Sequence, residues 1–415
     1  MDRLENTVRP YAWGSTTAIP ELLGEEPTGE PRAELWMGAH PGAPSRIDRG
    51  AGSTPLSEVI AAAPEEELGA ASVRAHGPRL PFLLKLLAAA APLSLQVHPD
   101  NTQAAEGYAD EEARGVPLDS PERNYKDASH KPELICALTP FEGLCGFRQP
   151  HEAAELLEGL GVNGLKPYAD ILRARPGTEA LREVLTAILS AEKGEMAETV
   201  AEAAEAAARM AAVPAVPSGS SGRSGEAEEE GLRREYAAYA DIAHHYPGDP
   251  GVLAAMLLNH VSLRPGEALF LSAGVPHAYL SGLGVEIMAN SDNVLRCGLT
   301  PKHVDVSELL RVVRFEPTDP GILRPEADDT GGEEIYDTPV GEFRLSRFTP
   351  VSGAAPHTLQ GPAAQILLCT GGEAVLQGDE SDEITLAPGR SAYVPAGERV
   401  RISGDGTLFR ATVAV

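Results

Sequence analysis

Apolar and polar positions divide the chain into an extended first part, a helical middle and an extended last part. Leu80-Pro-Phe-Leu-Leu-Lys-Leu-Leu87 is apolar on both faces, which predicts a buried strand interrupted only by Lys85. After a turn through Pro92, Leu93-Ser-Leu-Gln-Val-His98 alternates, so Ser94, Gln96 and His98 share one face while Leu93, Leu95 and Val97 point into the core. The polar, Gly- and Pro-punctuated residues that follow, as far as Lys126, read as a long loop. A Pro132 break then opens a strand whose first inward group is Glu133, with His130 and Lys131 just before it. Ser53 to Leu68 reads as one short amphipathic helix behind Ser53-Thr54-Pro55. From Pro150 the apolar spacing changes to three and four, predicting helices over Glu152 to Leu160, Gly177 to Ala211 and Leu232 to His244. Val213 to Glu230 is poor in apolar residues and rich in turn formers, which predicts a disordered surface loop. Strands return at Val261, where Pro265-Gly266 feeds a strand of period two and Gly274-Val-Pro276 delivers His277 to the start of the next.

An internal repeat carries the pattern to the C-terminal end. Leu263 to His277 aligns without a gap on Leu386 to Val400, so two similar strand–turn–strand units are expected, the second with Val400 in the place of His277. Short strands with Gly-rich turns from Glu342 to Val415 predict a small antiparallel jelly roll. The expected fold is mainly β with an inserted helical domain: a catalytic barrel from residues 1–149 and 251–318, helices over 150–250, and a C-terminal jelly roll without a metal site over 319–415.

Composition narrows the function. The 415 residues include 61 Asp and Glu against 34 Lys and Arg, and a net charge of −27 argues against nucleic-acid and anionic-membrane surfaces. An anionic substrate would need a locally positive pocket. Four cysteines without C-x-x-C spacing and no basic-then-apolar leader point to a cytoplasmic protein with reduced thiols, expected as a monomer. The two tryptophans, in Pro10-Tyr-Ala-Trp-Gly14 and Ala33-Glu-Leu-Trp-Met-Gly38, read as core aromatics.

Against that background a few polar residues stand out. A buried lysine needs a partner, so Lys85 is expected to emerge into a cavity that holds an anion. A lone turn-borne histidine is more often structural than ligating, yet Gln96, His98, Glu133 and His277 together offer two nitrogens and two oxygens on neighbouring strands, a set that suits Zn²⁺. The Asn290-Ser-Asp-Asn293 loop brings Arg296 back beside the same sheet.

Gly266, Ser272, Gly274 and His277 at their intervals resemble the second cupin motif, departing from it at Ser272 and Ser281, where proline and asparagine are usual. Gln-Val-His-Pro-Asp100, Lys-Pro-Glu133 and Gly-Val-Pro-His277 with Asn-Ser-Asp-Asn-Val-Leu-Arg296 resemble the type I mannose-6-phosphate isomerases, from Pro10 to about Val313. The resemblance implies a cupin barrel interrupted by helices and followed by a second jelly roll. It further implies one catalytic zinc per chain on Gln96, His98, Glu133 and His277, with Arg296 in the active site. The implied reaction interconverts mannose 6-phosphate and fructose 6-phosphate by moving a proton between adjacent carbons through an enediol(ate). On that reading Lys85 and Ser94 meet the phosphate, Tyr279 walls the pocket, and His130, Lys131 or Glu286 transfers the proton. A cupin metal oxygenase would have little need for Lys85, Lys131 and Arg296 converging on one pocket. A non-catalytic sugar-phosphate sensor would be favoured by a fused signalling module, of which the sequence shows none.

Overall fold

The computed structural model describes residues 1–175, 177–191, 193–213, 223–326, 332–350, 356–379 and 383–414. At its centre runs the strand His277–Ala289, which pairs antiparallel with Leu95–Val97 and Phe141–Phe147 at its start and with Phe82–Ala89 and Glu133–Ala137 further on. The change of partners falls at Gly282, whose φ of 122° and whose absent Cβ, which would lie 2.7 Å from the Phe141 ring, let the strand bend there. The strand Phe82–Ala89 is apolar on both faces because it has a core on each. Phe82, Leu84, Leu86 and Ala88 pack with Leu345, Ile366 and Phe409, while Leu87 and Ala89 pack around Leu271 and Tyr279.

The middle of the chain is helical: Pro150–Gly159, Lys166–Ala174, Thr178–Ser190, Lys193–Ala211, Arg223–His245 and Gly251–Ala255. Its buried Leu181, Val184, Val200 and Tyr239 share one cluster with Leu95, Val97, Phe147 and Leu295 of the strands. At about 1.5–3 kcal/mol for each large apolar side chain removed from water, that shared core fixes the helices against the sheet that carries His277.

Past the helices lie two further antiparallel sheets. One is six-stranded and includes Arg344–Phe348, Gln365–Gly371, Ser391–Val394 and Thr407–Thr412; the other is four-stranded and includes Ala374–Gly378 and Arg399–Gly404. The internal repeat has its structural counterpart, since Ala268–Leu271 aligns residue for residue on Ser391–Val394, and Val400 is fully buried in the core of this region. The N-terminal strand Asp2–Arg3 pairs with Ser391–Val394, so the first residues of the chain complete a sheet of its last part.

Several expectations need correction. Ser53 to Leu68 is a strand, Ser53–Pro55, followed by two helices, Leu56–Ala62 and Pro64–Leu68, because Pro64 cannot continue the first helix and starts the second at its first position. The stretch read as a loop to Lys126 contains the helix Asn101–Ala113, opened by a capping box in which Asp100 accepts from Gln103 N–H and the Gln103 side chain accepts from Asp100 N–H. Gly177 to Ala211 is two helices. Of the predicted disordered loop, residues 214–222 lie outside the described residues, and Arg223 to Glu230 begins the last long helix, for which its Glu and Ala residues have the propensity. Among the described residues no helix is long and apolar enough to cross a membrane, and all four cysteines are free and buried.

Candidate metal centre and substrate cleft

One turn ties the two central imidazoles together. His277 is the first residue of its strand, behind Gly274, which takes φ 79° and donates its N–H to the His98 carbonyl at 2.8 Å. A Cβ on Gly274 would lie 2.7 Å from the Arg314 side chain, so the turn is closed to larger residues. Register then places Gln96 opposite His277 and, on its other side, opposite Arg296. His98, Glu133 and His277 are almost fully buried, and one ligating atom from each lies within 4.8 Å of the others. His98 donates from Nδ1 to the Asn293 carbonyl at 2.7 Å and His277 from Nδ1 to the Val275 carbonyl at 2.9 Å. Both Nε2 lone pairs are thereby left facing Glu133, at 3.4 Å and 3.3 Å.

Among the described residues this convergence is left partly unsatisfied. His98 Nε2 and Glu133 Oε2 are buried without a hydrogen-bond partner among the described residues, a costly state that a bound cation removes. Gln96 adds its amide, 3.4 Å from His277 Nε2, where a half-turn presents Oε1. Burial pushes the His98 imidazole down to about 4, against the pull of Glu133. Burial works to raise Glu133, but Lys131, 3.0 Å away, and His98 hold it well below the usual carboxylate range. A neutral His98 and an ionised Glu133 are the forms a divalent ion requires of its ligands, and the donor atoms of the set fit one.

Beside the cluster opens a cavity of about 460 Å³, lined among others by Lys85, Ser94, Gln96, Lys131, Glu133, Tyr279, Glu286 and Arg296. Lys85 is buried between Glu286 at 2.8 Å and Glu34 at 3.5 Å, and these two carboxylates hold its ammonium charged although burial opposes the charge. Burial, opposed by Lys85 and helped by Glu133 and Glu34, lifts Glu286. Tyr279 lines the cavity too; its buried hydroxyl makes no hydrogen bond of good geometry among the described residues, and burial with the nearby Glu286 carboxylate raises it well above the usual tyrosine range. Arg296 and Lys302, also in the lining, have no carboxylate within ion-pair distance among the described residues.

A family model for the phosphomannose isomerase type I catalytic domain matches residues 1–150. The mannose-6-phosphate isomerase of Escherichia coli (strain K12) is 40% identical over 413 residues, 99% of each chain. The chain belongs to the mannose-6-phosphate isomerase family. The Homo sapiens member is 32% identical over 98% of this chain and 97% of its own. A variant of the phosphomannose isomerase from Salmonella typhimurium superposes at a TM-score of 0.87 with 38% identity, covering 100% of both chains. A zinc-bound mannose 6-phosphate isomerase gives 0.86 and 38%, covering 100% of this chain and 99% of that one.

Within this family member the structure brings ten of the eleven site residues named from sequence to the metal cluster and its cleft, and sets one apart. His130 lines a separate cavity of about 220 Å³, where its Nε2 lies 2.7 Å from Glu342 of the C-terminal part. In an extended segment Lys131 and Glu133 share a face and His130 takes the other, which is the physical reason for the correction. Lys85 reaches the cavity, but its charge is already met by two carboxylates. Trp13 is only partly buried: it packs against the core around Leu271 and Tyr279 and also lines the cleft, stacked on Tyr11 at 5.7 Å. Sequence reasoning passed over Glu34, Tyr246, Thr300 and Lys302. Glu34 had a signal, a carboxylate two residues before Trp36 on one strand face, and its Oε2 accepts the Trp36 Nε1–H at 2.6 Å.

Proposed function

We propose that this protein is a zinc-dependent isomerase that interconverts mannose 6-phosphate and fructose 6-phosphate, with its metal site in a cupin-type jelly-roll barrel, an inserted helical domain and a second jelly roll that holds no metal. The observation that carries the reading is the cluster of His98, Glu133 and His277 beside Gln96, whose buried, unpartnered atoms fit one divalent ion. Bound there, Zn²⁺ supplies positive charge that polarises substrate oxygens and favours negative charge developing next to them.

The chain's own residues divide the remaining work. Glu286 is the group in the cleft suited to carry the proton between C1 and C2 of the open-chain sugar: as a carboxylate it can take the proton from one carbon, and burial with two neighbouring carboxylates raises its affinity for that proton until it is returned to the other. Lys85 orients Glu286 rather than binding the phosphate. Lys131 is engaged with Glu133. Arg296, across the strand pair from Gln96, meets the negative charge of the forming enediol(ate). Lys302, the cleft lysine with no carboxylate partner among the described residues, takes the phosphate. Tyr279, close to Glu286 and without a hydrogen bond of good geometry among the described residues, can turn its hydroxyl to donate to a sugar oxygen. The decisive experiment is fructose 6-phosphate formation from mannose 6-phosphate in a coupled assay, before and after chelation and after zinc is restored. Absence of turnover in protein with a full equivalent of zinc would end this reading.

A further inference from the structure

The wall of the cleft that carries Lys302 is built in an unusual way. The strand Leu295–Gly298 ends at Gly298, with φ 140°, and is followed by Leu299 at φ 56°, the one non-glycine residue with positive φ among the described residues. That left-handed conformation is disfavoured for a branched side chain and persists only where the surroundings impose it. Packing from behind does not impose it on the residues that follow. Thr300, Pro301 and Lys302 have the cleft of about 460 Å³ on one side and a second cavity of about 370 Å³ on the other.

What holds them is a clasp on Asp249, in the short connection after the long helix Arg223–His245. Asp249 Oδ1 accepts the Gly251 N–H at 2.7 Å and Oδ2 accepts the Thr300 N–H at 3.3 Å. Thr300 Oγ1 in turn accepts the Lys302 N–H at 3.1 Å. Two glycines let the partners close up: a Cβ on Gly251 would lie 2.6 Å from Leu299 N, and one on Gly298 would lie 2.6 Å from Gly251 Cα. The same connection carries Tyr246, which lines the cleft and donates its hydroxyl to the Pro92 carbonyl at 2.7 Å.

We propose that Asp249 is a positioning residue for substrate binding: through Thr300 it fixes the turn from Gly298 to Lys302 and so holds the Lys302 ammonium where the phosphate docks. The inference rests on the assignment of the phosphate to Lys302 above. The carboxylate serves two N–H groups at once. Asparagine, with one acceptor oxygen and an NH₂ facing the second N–H, releases the Thr300 side of the clasp.

The test uses the zinc-loaded enzyme, with kcat and KM for mannose 6-phosphate and the competitive Ki of inorganic phosphate measured for Asp249→Asn, Lys302→Met and the double variant. Each single variant is expected to raise KM and the phosphate Ki roughly tenfold with kcat within about threefold, and the double variant is expected to be no worse than Lys302→Met alone. Gly251→Ala provides a second arm that removes no hydrogen-bonding group and pushes the turn outward; it should move Ki in the same direction. An unchanged Ki in Lys302→Met sinks the phosphate assignment itself. A raised Ki in Lys302→Met, with Asp249→Asn and Gly251→Ala unchanged or with Asp249→Asn fully additive, sinks the clasp alone.

Discussion

Replacing Lys85 with methionine separates two roles that sequence leaves entangled. The Lys85 ammonium lies 2.8 Å from Glu286 and 3.5 Å from Glu34, attractions of about 6 and about 5 kcal/mol at an effective dielectric of about 20. Desolvation of the buried ammonium offsets much of that sum. The remaining penalty of Lys85→Met comes from stranding two buried carboxylates, and removing one partner of such a pair typically costs about 3–5 kcal/mol. Protonation of Glu286, which is already lifted by burial and by Glu133 and Glu34, limits the loss to the lower part of that range. The variant should therefore show a reduced midpoint of chemical denaturation, a kcat lowered by on the order of a hundredfold because Glu286 loses its orientation, and a phosphate Ki within about threefold of the parent. Glu286→Gln in the Lys85→Met background should recover part of the lost stability, since one stranded carboxylate is gone. Steady-state kinetics with phosphate as competitor decides the matter. A phosphate Ki raised tenfold with kcat retained would refute the reasoning and return the phosphate to Lys85.

His277→Ala should abolish zinc retention, so a full equivalent of zinc in that variant by elemental analysis would show the ligand set to be wrong. Arg296→Met should lower kcat by on the order of a hundredfold with little change in phosphate Ki, as expected for a donor that acts only when negative charge develops; a pure KM defect would move Arg296 to the phosphate. Metal-free protein should lose stability as pH falls from 6.5 towards 4. His98 is depressed from its ordinary 6.5 to about 4, so its contribution is complete above the unfolded value and is lost as pH descends through the folded one. Thermal melts of the chelated protein across that window test this, and a difference between parent and His98→Ala that does not change with pH would contradict it.

How far the sequence reached depends on whether a residue's role is local or set by pairing. Gln96 and His98 were legible because strand alternation alone puts them on one face, and His277 because a Gly-Pro turn fixes where its strand begins. Lys85 was legible as a buried charge. Its partner was not, since Glu286 lies 201 residues away and meets it only through the pairing of Phe82–Ala89 with His277–Ala289. Glu34 escaped for the same reason: its place beside Lys85 follows from register, with Trp36 opposite Lys85 and Glu34 opposite Leu87. The helix Asn101–Ala113 was hidden by its polarity, only Ala104, Gly107 and Glu111 being buried, although Asp100 and Gln103 carry the spacing of a capping box. Lys302 had no sequence signal at all. It becomes notable only when the other cleft lysines, Lys85 and Lys131, are seen to have carboxylate partners.

On the proposed reading, that contrast also accounts for how so acidic a protein would receive a phosphate. The chain carries a net charge of −27, which repels a dianion at long range, but fields from surface carboxylates are screened within about 8 Å at physiological ionic strength. Inside the cleft the charges are sorted. Glu34, Glu286 and Glu133 sit with Lys85 and Lys131, while Arg296 and Lys302 have no carboxylate partner among the described residues. Burial pulls both cations towards their neutral forms, Lys302 with the added push of Arg296, so an arriving dianion relieves an unfavourable state rather than competing with a resident carboxylate. On the proposed reading the same sorting would orient the sugar: a phosphate drawn to Lys302 and repelled by Glu286 would leave the carbon end at the carboxylate proposed to exchange a proton with it.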